Sequence, residues 1–227
     1  MSPDEAKERI RLDLESQARM RSYREALAKL KENSGVRILL EEPRLPSSAA
    51  AAAVDAAPAT GATREAAITI TEFSDFQCPY CKQVQSTLKQ ILRDYRNEVK
   101  LIFKHLPLDI HPQAFASAQA AFCAGEQNSF WQYHDALFSA ENPTPETFKQ
   151  LAQQFKLNLP AFTVCLASEV SRNAVLKDVQ EARRLGINGT PAFIINGKLV
   201  RGAISYEEFK SIIERELKSA RPTSPRQ

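Results

Sequence analysis

No run of apolar residues approaches the roughly 20 needed to cross a bilayer as a helix. An excess of charge of one sign is missing too. Thirty Lys and Arg against 27 Asp and Glu leave a formal +3, so nothing in the balance argues for a nucleic-acid partner. Histidine is scarce, and His105, His111 and His134 show no paired ligand spacing. Of the four cysteines, Cys123 and Cys165 are isolated and distant from each other. Structural zinc usually takes a second closely spaced Cys or His pair, so no metal is expected, nor any other cofactor. A signal peptide is also not visible, since the chain opens charged and helical in pattern.

What is present centres on Cys78-Pro79-Tyr80-Cys81, entered from Ile68-Thr69-Ile70-Thr71-Glu72-Phe73 and answered downstream by Gly189-Thr190-Pro191-Ala192-Phe193. The first segment reads as a β-strand. Val84, Leu88, Ile91, Leu92 and Tyr95 then recur on one face of a helix. Cys78 therefore falls where strand gives way to helix, and Pro79 fits the first helical turn, where its missing N–H costs nothing. Free amides and the positive end of the helix dipole stabilise an anion at that point. A thiolate is such an anion, so Cys78 is expected to be the more acidic and more exposed thiol and the attacking nucleophile. Cys81, one turn in, is placed on the same side to resolve a mixed disulfide. Alternation puts Glu72 on the strand face of Ile70, where burial is credible. From the residues alone it is read as a core glutamate held by a lysine.

The stretches TEFSDFQCPYC (71–81), HPQAFASAQAAFCA (111–124), FWQYHDALF (130–138) and GINGTPAFIINGKLVRGA (186–203) resemble the DsbA-like branch of the thioredoxin superfamily, the extracytoplasmic thiol–disulfide oxidoreductases. The likeness runs from about residue 67 to 218, some two thirds of the chain. A glutaredoxin also uses CPYC but would be shorter and lack the long helical stretch before Gly189. The resemblance implies an α/β, thioredoxin-like fold with an inserted all-helical domain. It also implies Cys78 as nucleophile, Cys81 as resolving thiol, Glu72 as a buried acid that handles protons near the thiols, and Pro191 following a cis peptide bond. The alternative at Pro191 is a trans proline starting a strand. A cis bond would leave the Thr190 backbone free to pair with an extended substrate. Some family members carry a second, structural disulfide, and Cys123 and Cys165 suit that pairing; the alternative is two buried reduced thiols. Strongly oxidising members have His where Tyr80 stands. A Cys78 pKa below the free-thiol value of about 8.5, yet less extreme than in those members, is therefore expected.

The rest of the pattern fits that frame. Val99 to Lys104 reads as the next parallel strand. Helical runs follow, around Phe115, Ala118 and Phe122, then Phe130 to Phe138, then Phe148 to Phe155 behind Thr144-Pro145, then Ser171 to Leu185 ahead of Gly186. Asn196-Gly197 marks a two-residue hairpin, and Ser205 with Glu208 a capping box.

The expected organisation is an N-terminal helix and short strand over 1–42, an Ala/Pro-rich linker over 43–66, and the catalytic domain over 67–219. Within the last, the helical insertion spans about 107–186, and a tail occupies 220–227. The first helix, capped by Ser2, should run to about Asn33 with Ile10, Leu14, Tyr23, Leu27 and Leu30 as its apolar positions, before a strand at Val36 to Leu40. This end resembles the closing segment of SurA-type chaperone domains. A lone helix cannot bury such a stripe, so packing on a second copy, as a homodimer, or on the catalytic domain is expected.

The expected function is formation of disulfides in cysteine-containing or unfolded protein substrates outside the cytoplasm, with a membrane redox partner that resets the pair. An isomerase or reductase using reduced Cys78 is the enzymatic alternative, and a chaperone-like binding module the non-enzymatic one. Four cysteines with this motif favour an oxidising compartment, so the chain is read as mature or truncated, without its leader; a cytoplasmic protein is the alternative.

Overall fold

A computed structural model describes residues 57–62 and 66–220, together with individual positions between 7 and 30. The chain divides into two units, Met1–Glu42 and Pro43–Gln227. In the first, the described positions, among them Lys7, Arg11, Glu15, Tyr23 and Leu30, are helical. Arg11 and Glu15, one turn apart, form an ion pair at 3.9 Å. The expected strand at 36–40 and the alanine run at 49–53 lie outside the described residues, as do Ile10, Leu14 and Leu27.

In the second unit five strands form one sheet in the order β1-β3-β2-β4-β5. They are β1 (Ala59–Gly61), β2 (Ile68–Ser74), β3 (Val99–His105), β4 (Ala192–Ile195) and β5 (Lys198–Arg201). β2 and β3 are parallel, linked by helix α1 (Pro79–Asp94), and the remaining pairs are antiparallel. β2 reads as a near-continuous buried run because both its faces are covered. Ile68 and Ile70 pack with Val84, Leu88 and Ile91 of α1 and with Phe209 and Ile213 of α7 (Tyr206–Ala220). Phe73, on the opposite face, packs with Leu106, Ala182 and Ile187.

The β4–β5 hairpin turns on Asn196 (φ 46°) and Gly197 (φ 85°), both in the left-handed region that this turn requires. Asn196 also ties the turn to the sheet, its Oδ1 accepting from Thr69 N–H at 2.9 Å. Ser205 opens α7 as a reciprocal cap, its N–H donating to Glu208 Oε2 and its Oγ accepting from Glu208 N–H.

One element of the sheet was not foreseen. The stretch read as linker contains β1, an edge strand antiparallel to β3. Its apolar content is too low for a periodic signal, and it is held from outside instead. Phe103 N–H donates to Pro58 O at 3.0 Å, and Trp131 Nε1–H donates to Ala59 O at 3.0 Å. Gly61 (φ 92°) is required there, since a Cβ would lie 2.5 Å from Val99 O.

Between β3 and β4 lie five helices: α2 (Ala114–Gly125), α3 (Phe130–Ser139), α4 (Pro145–Gln154), α5 (Leu159–Leu166) and α6 (Glu169–Arg184). Their aromatic residues form a core: Tyr133 and Phe162 are fully buried, and Tyr133 Oη–H donates to Phe148 O at 2.8 Å. A disulfide joins Cys123 of α2 to Cys165 of α5 across 42 residues of sequence, with Cα atoms 5.8 Å apart. Closing a loop of that length restricts the unfolded chain. Cys123→Ala combined with Cys165→Ala is therefore expected to lower unfolding stability by about 2–4 kcal/mol. Urea titration of both proteins, with the 78–81 pair held reduced, measures the difference.

Candidate active site

The Cys78 motif begins where β2 runs out. Cys78 is the N-cap of α1, with extended backbone (φ −73°, ψ 122°), and Pro79 occupies the first turn. No side chain caps the helix and its first turn carries no acidic residue, so its amides remain for the sulfur. The Cys78 thiol is pulled down to about 5. Hydrogen bonding from the Cys81 thiol is the main cause and outweighs burial; the Cys81 and Tyr80 amides and the Thr190 side chain add to it. Cys81 moves the opposite way, pushed up by burial and then by its neighbour Cys78. The two thiols are thus split by environment into a ready thiolate and a held proton.

The Thr190–Pro191 bond is cis. Cys78 Sγ lies 3.5 Å from the Thr190 carbonyl oxygen, which accepts its S–H, and the buried Thr190 hydroxyl has no other hydrogen-bond partner. Residues 112 positions apart are thereby brought into contact. Tyr80 projects into solvent. Cys78 is less open than its place at a helix start suggests: it is 5% exposed against 0% for Cys81, and both belong to the buried cluster that includes Phe76 and Phe103.

Glu72 is fully buried on the α1 side of β2, and its Oε1 accepts from Gln85 Nε2 at 2.9 Å. Burial pushes its carboxyl up to about 7, against the pull of Ser74 and Gln85. The reading of Glu72 as a glutamate held by a lysine is corrected here. The buried lysine nearby in the sheet, Lys104, pairs with Asp178 at 3.0 Å and Glu181 at 3.1 Å, both on α6. Nor does His105 supply positive charge to the motif near neutral pH, since burial lowers it to about 4.

Two residues near the thiols escaped the sequence reading. Gln85 Nε2 bridges Glu72 and the Cys81 carbonyl oxygen, the latter at 3.2 Å. It was detectable as a polar residue on the apolar face of α1, one turn after Cys81. Asp75 is the other. Its Oδ1 accepts from Gln77 N–H at 2.8 Å, its Oδ2 from Leu108 N–H at 2.8 Å, and Oδ2 lies 2.7 Å from His111 Nδ1. Its local sequence carries no signal of its own, since Leu108 and His111 come from a distant segment. Among the described residues no group of His, Cys, Asp and Glu is arranged to hold a metal ion.

A five-stranded sheet with a Cys-x-x-Cys pair at the start of a helix and a cis-proline turn against the first sulfur defines a thioredoxin-fold dithiol protein. The chain belongs to the thioredoxin family, whose model matches residues 55–215. Its architecture is that of the DsbA-like thiol–disulfide oxidoreductases. It is similar to a periplasmic thioredoxin-like protein from Salmonella enterica serovar Typhimurium, with a TM-score of 0.66 and 27% identity over 78% of this chain and 99% of that one. It is 28% identical over 167 residues to disulfide bond formation protein D of Bacillus subtilis, covering 68% of this chain and 74% of that protein. It is also 35% identical over 160 residues to Na(+)/H(+) antiporter NhaA 3 of Salinispora tropica, covering 70% of this chain. The chain spans about a quarter of that antiporter's length, 24%. No helix among the described residues is long and apolar enough to cross a membrane.

Proposed function

We propose that the protein is an extracytoplasmic thiol–disulfide oxidoreductase that donates the Cys78–Cys81 disulfide to folding proteins. One observation carries the reading: Cys78 is acidic and in contact with Thr190, whereas Cys81 is buried and keeps its proton. A substrate thiolate attacks Cys78 Sγ, the 78–81 bond breaks, and its electron pair leaves on Cys81, which takes up a proton. A second substrate thiolate then attacks the substrate sulfur of the mixed disulfide and expels Cys78 as thiolate. A low-pKa leaving group makes that last step fast. Glu72, with a pKa near neutral and hydrogen-bonded through Gln85 to the Cys81 segment, is suited to exchange the Cys81 proton. The Thr190 main chain beside the nucleophile supports its role in holding an extended substrate.

The family membership and the Cys123–Cys165 disulfide, a bond that persists in oxidising compartments, support a site of action outside the cytoplasm. After one turnover both motif cysteines are thiols, so continued oxidation requires a second partner that accepts two electrons, read here as a membrane redox protein. The direct test mixes the oxidised protein with an equimolar reduced dithiol peptide. Appearance of the peptide disulfide with stoichiometric loss of the 78–81 bond supports the reading; an unreacted peptide opposes it.

The N-terminal unit is read as a contact for a second copy of the chain, because Tyr23 and Leu30 lie exposed on its helix. Light scattering is expected to give two chain masses for the full-length protein and one chain mass once residues 1–45 are removed. Two chain masses after the removal, or one before it, would remove the dimer.

A further inference from the structure

Asp75 stands three residues ahead of the nucleophile and touches both halves of the redox pair through its backbone. Its carbonyl accepts the Cys78 N–H at 3.1 Å, and its amide faces the Cys81 sulfur. What fixes that backbone is a fully buried carboxylate with three partners. Gln77 belongs to the motif loop, whereas Leu108 and His111 belong to the segment leading from β3 into the helical insertion. A buried carboxylate stripped of its partners is strongly disfavoured, so this is a rigid junction and not a surface contact.

We infer that Asp75 is a positioning residue for disulfide exchange: its carboxylate clamps the motif loop to the insertion and so holds Cys78 in register with the amides that stabilise its thiolate. His111 is part of the clamp as a hydrogen-bond donor through Nδ1. The inference rests on the redox reading of the Cys78–Cys81 pair.

Asn at position 75 must turn its NH2 toward either Gln77 N–H or Leu108 N–H, so one side of the junction opens. In Asp75→Asn the midpoint of Cys78 alkylation against pH is expected to rise by about 1 unit, as the thiolate loses its donors. The equilibrium constant against glutathione is expected to fall about tenfold, equivalent to about 30 mV toward the reducing side. A lower midpoint would mean that only the negative charge of Asp75 acts on Cys78, and would overturn the clamp, as would no change.

His111→Gln keeps an N–H donor without the charge and is expected to stay within about twofold of wild type, while His111→Ala moves with Asp75→Asn. Equal shifts in the two His111 variants would overturn the clamp in favour of charge. Should Asp75→Asn fail to fold, the His111 pair decides alone. Wild-type protein that does not equilibrate with glutathione at all would instead remove the underlying redox reading.

Discussion

Cys78→Ala is expected to abolish thiol–disulfide exchange, while Cys81→Ala is expected to stall it at a covalent complex. This contrast is the largest effect expected of any substitution in the chain, because the two sulfurs do different work. Cys78 is the sulfur in contact with Thr190 and the one whose thiolate is stabilised. Without it no mixed disulfide forms, and exchange with a disulfide peptide is expected to fall by on the order of 10³-fold or more. Without Cys81 the reduced protein still attacks a disulfide through Cys78 but cannot resolve the product. A reductant-sensitive adduct should then accumulate on a non-reducing gel. The same pair of variants separates the enzyme from a binding module. Suppression of aggregation that survives Cys78→Ala unchanged, with no exchange activity in the wild type, would favour a chaperone-like role.

The second large effect is in pH dependence and belongs to Glu72. Its folded pKa of about 7 lies above the ordinary 4.5 because the carboxylate is buried. The native state thus holds this proton more tightly than the unfolded chain does. The resulting stability is fully present below about pH 4.5 and is lost as pH rises through 7, a difference on the order of 3 kcal/mol. Cys78 has the opposite sign, since its folded pKa is depressed to about 5. Its contribution is present at high pH and is lost as pH falls through 5, but only while the thiols are reduced. The clean experiment therefore uses the oxidised protein, in which Cys78 does not titrate. There Glu72→Gln is expected to flatten the fall in stability between pH 4.5 and 7 and to leave the variant more stable than wild type at pH 8. Parallel urea-unfolding profiles for the two proteins would show that Glu72 is not the buried proton store described here. In exchange kinetics the same variant should slow the step that protonates Cys81, by about 10²-fold.

The sequence exposed those parts of the site that depend on local pattern. Cys78-Pro79 at a strand-to-helix junction, the capping box at Ser205 and the Asn196-Gly197 turn are written in neighbouring residues. The helical periodicity that places α1 under β2 is equally local. Thr190-Pro191 and the Cys123–Cys165 pair were legible only through the family resemblance, because nothing local links partners 112 and 42 residues apart. Two things were hidden. β1 has three residues and little apolar content, and its pairing is set by β3, Pro58 and Trp131. Asp75 reads as an ordinary polar loop residue until the fold brings Leu108 and His111 to it. In both cases the information lies in which distant segment arrives, not in the segment itself.

Stabilisation of the reduced form at Cys78 should make the protein give up its disulfide readily. Equilibrating the Cys78–Cys81 pair against defined glutathione buffers measures this directly. A reduction potential toward the DsbA end of the scale, about −120 mV, is the expected result and makes the protein an oxidant of folding proteins. A value near that of thioredoxin, about −270 mV, would contradict it and make the protein a reductase or isomerase that a partner keeps reduced.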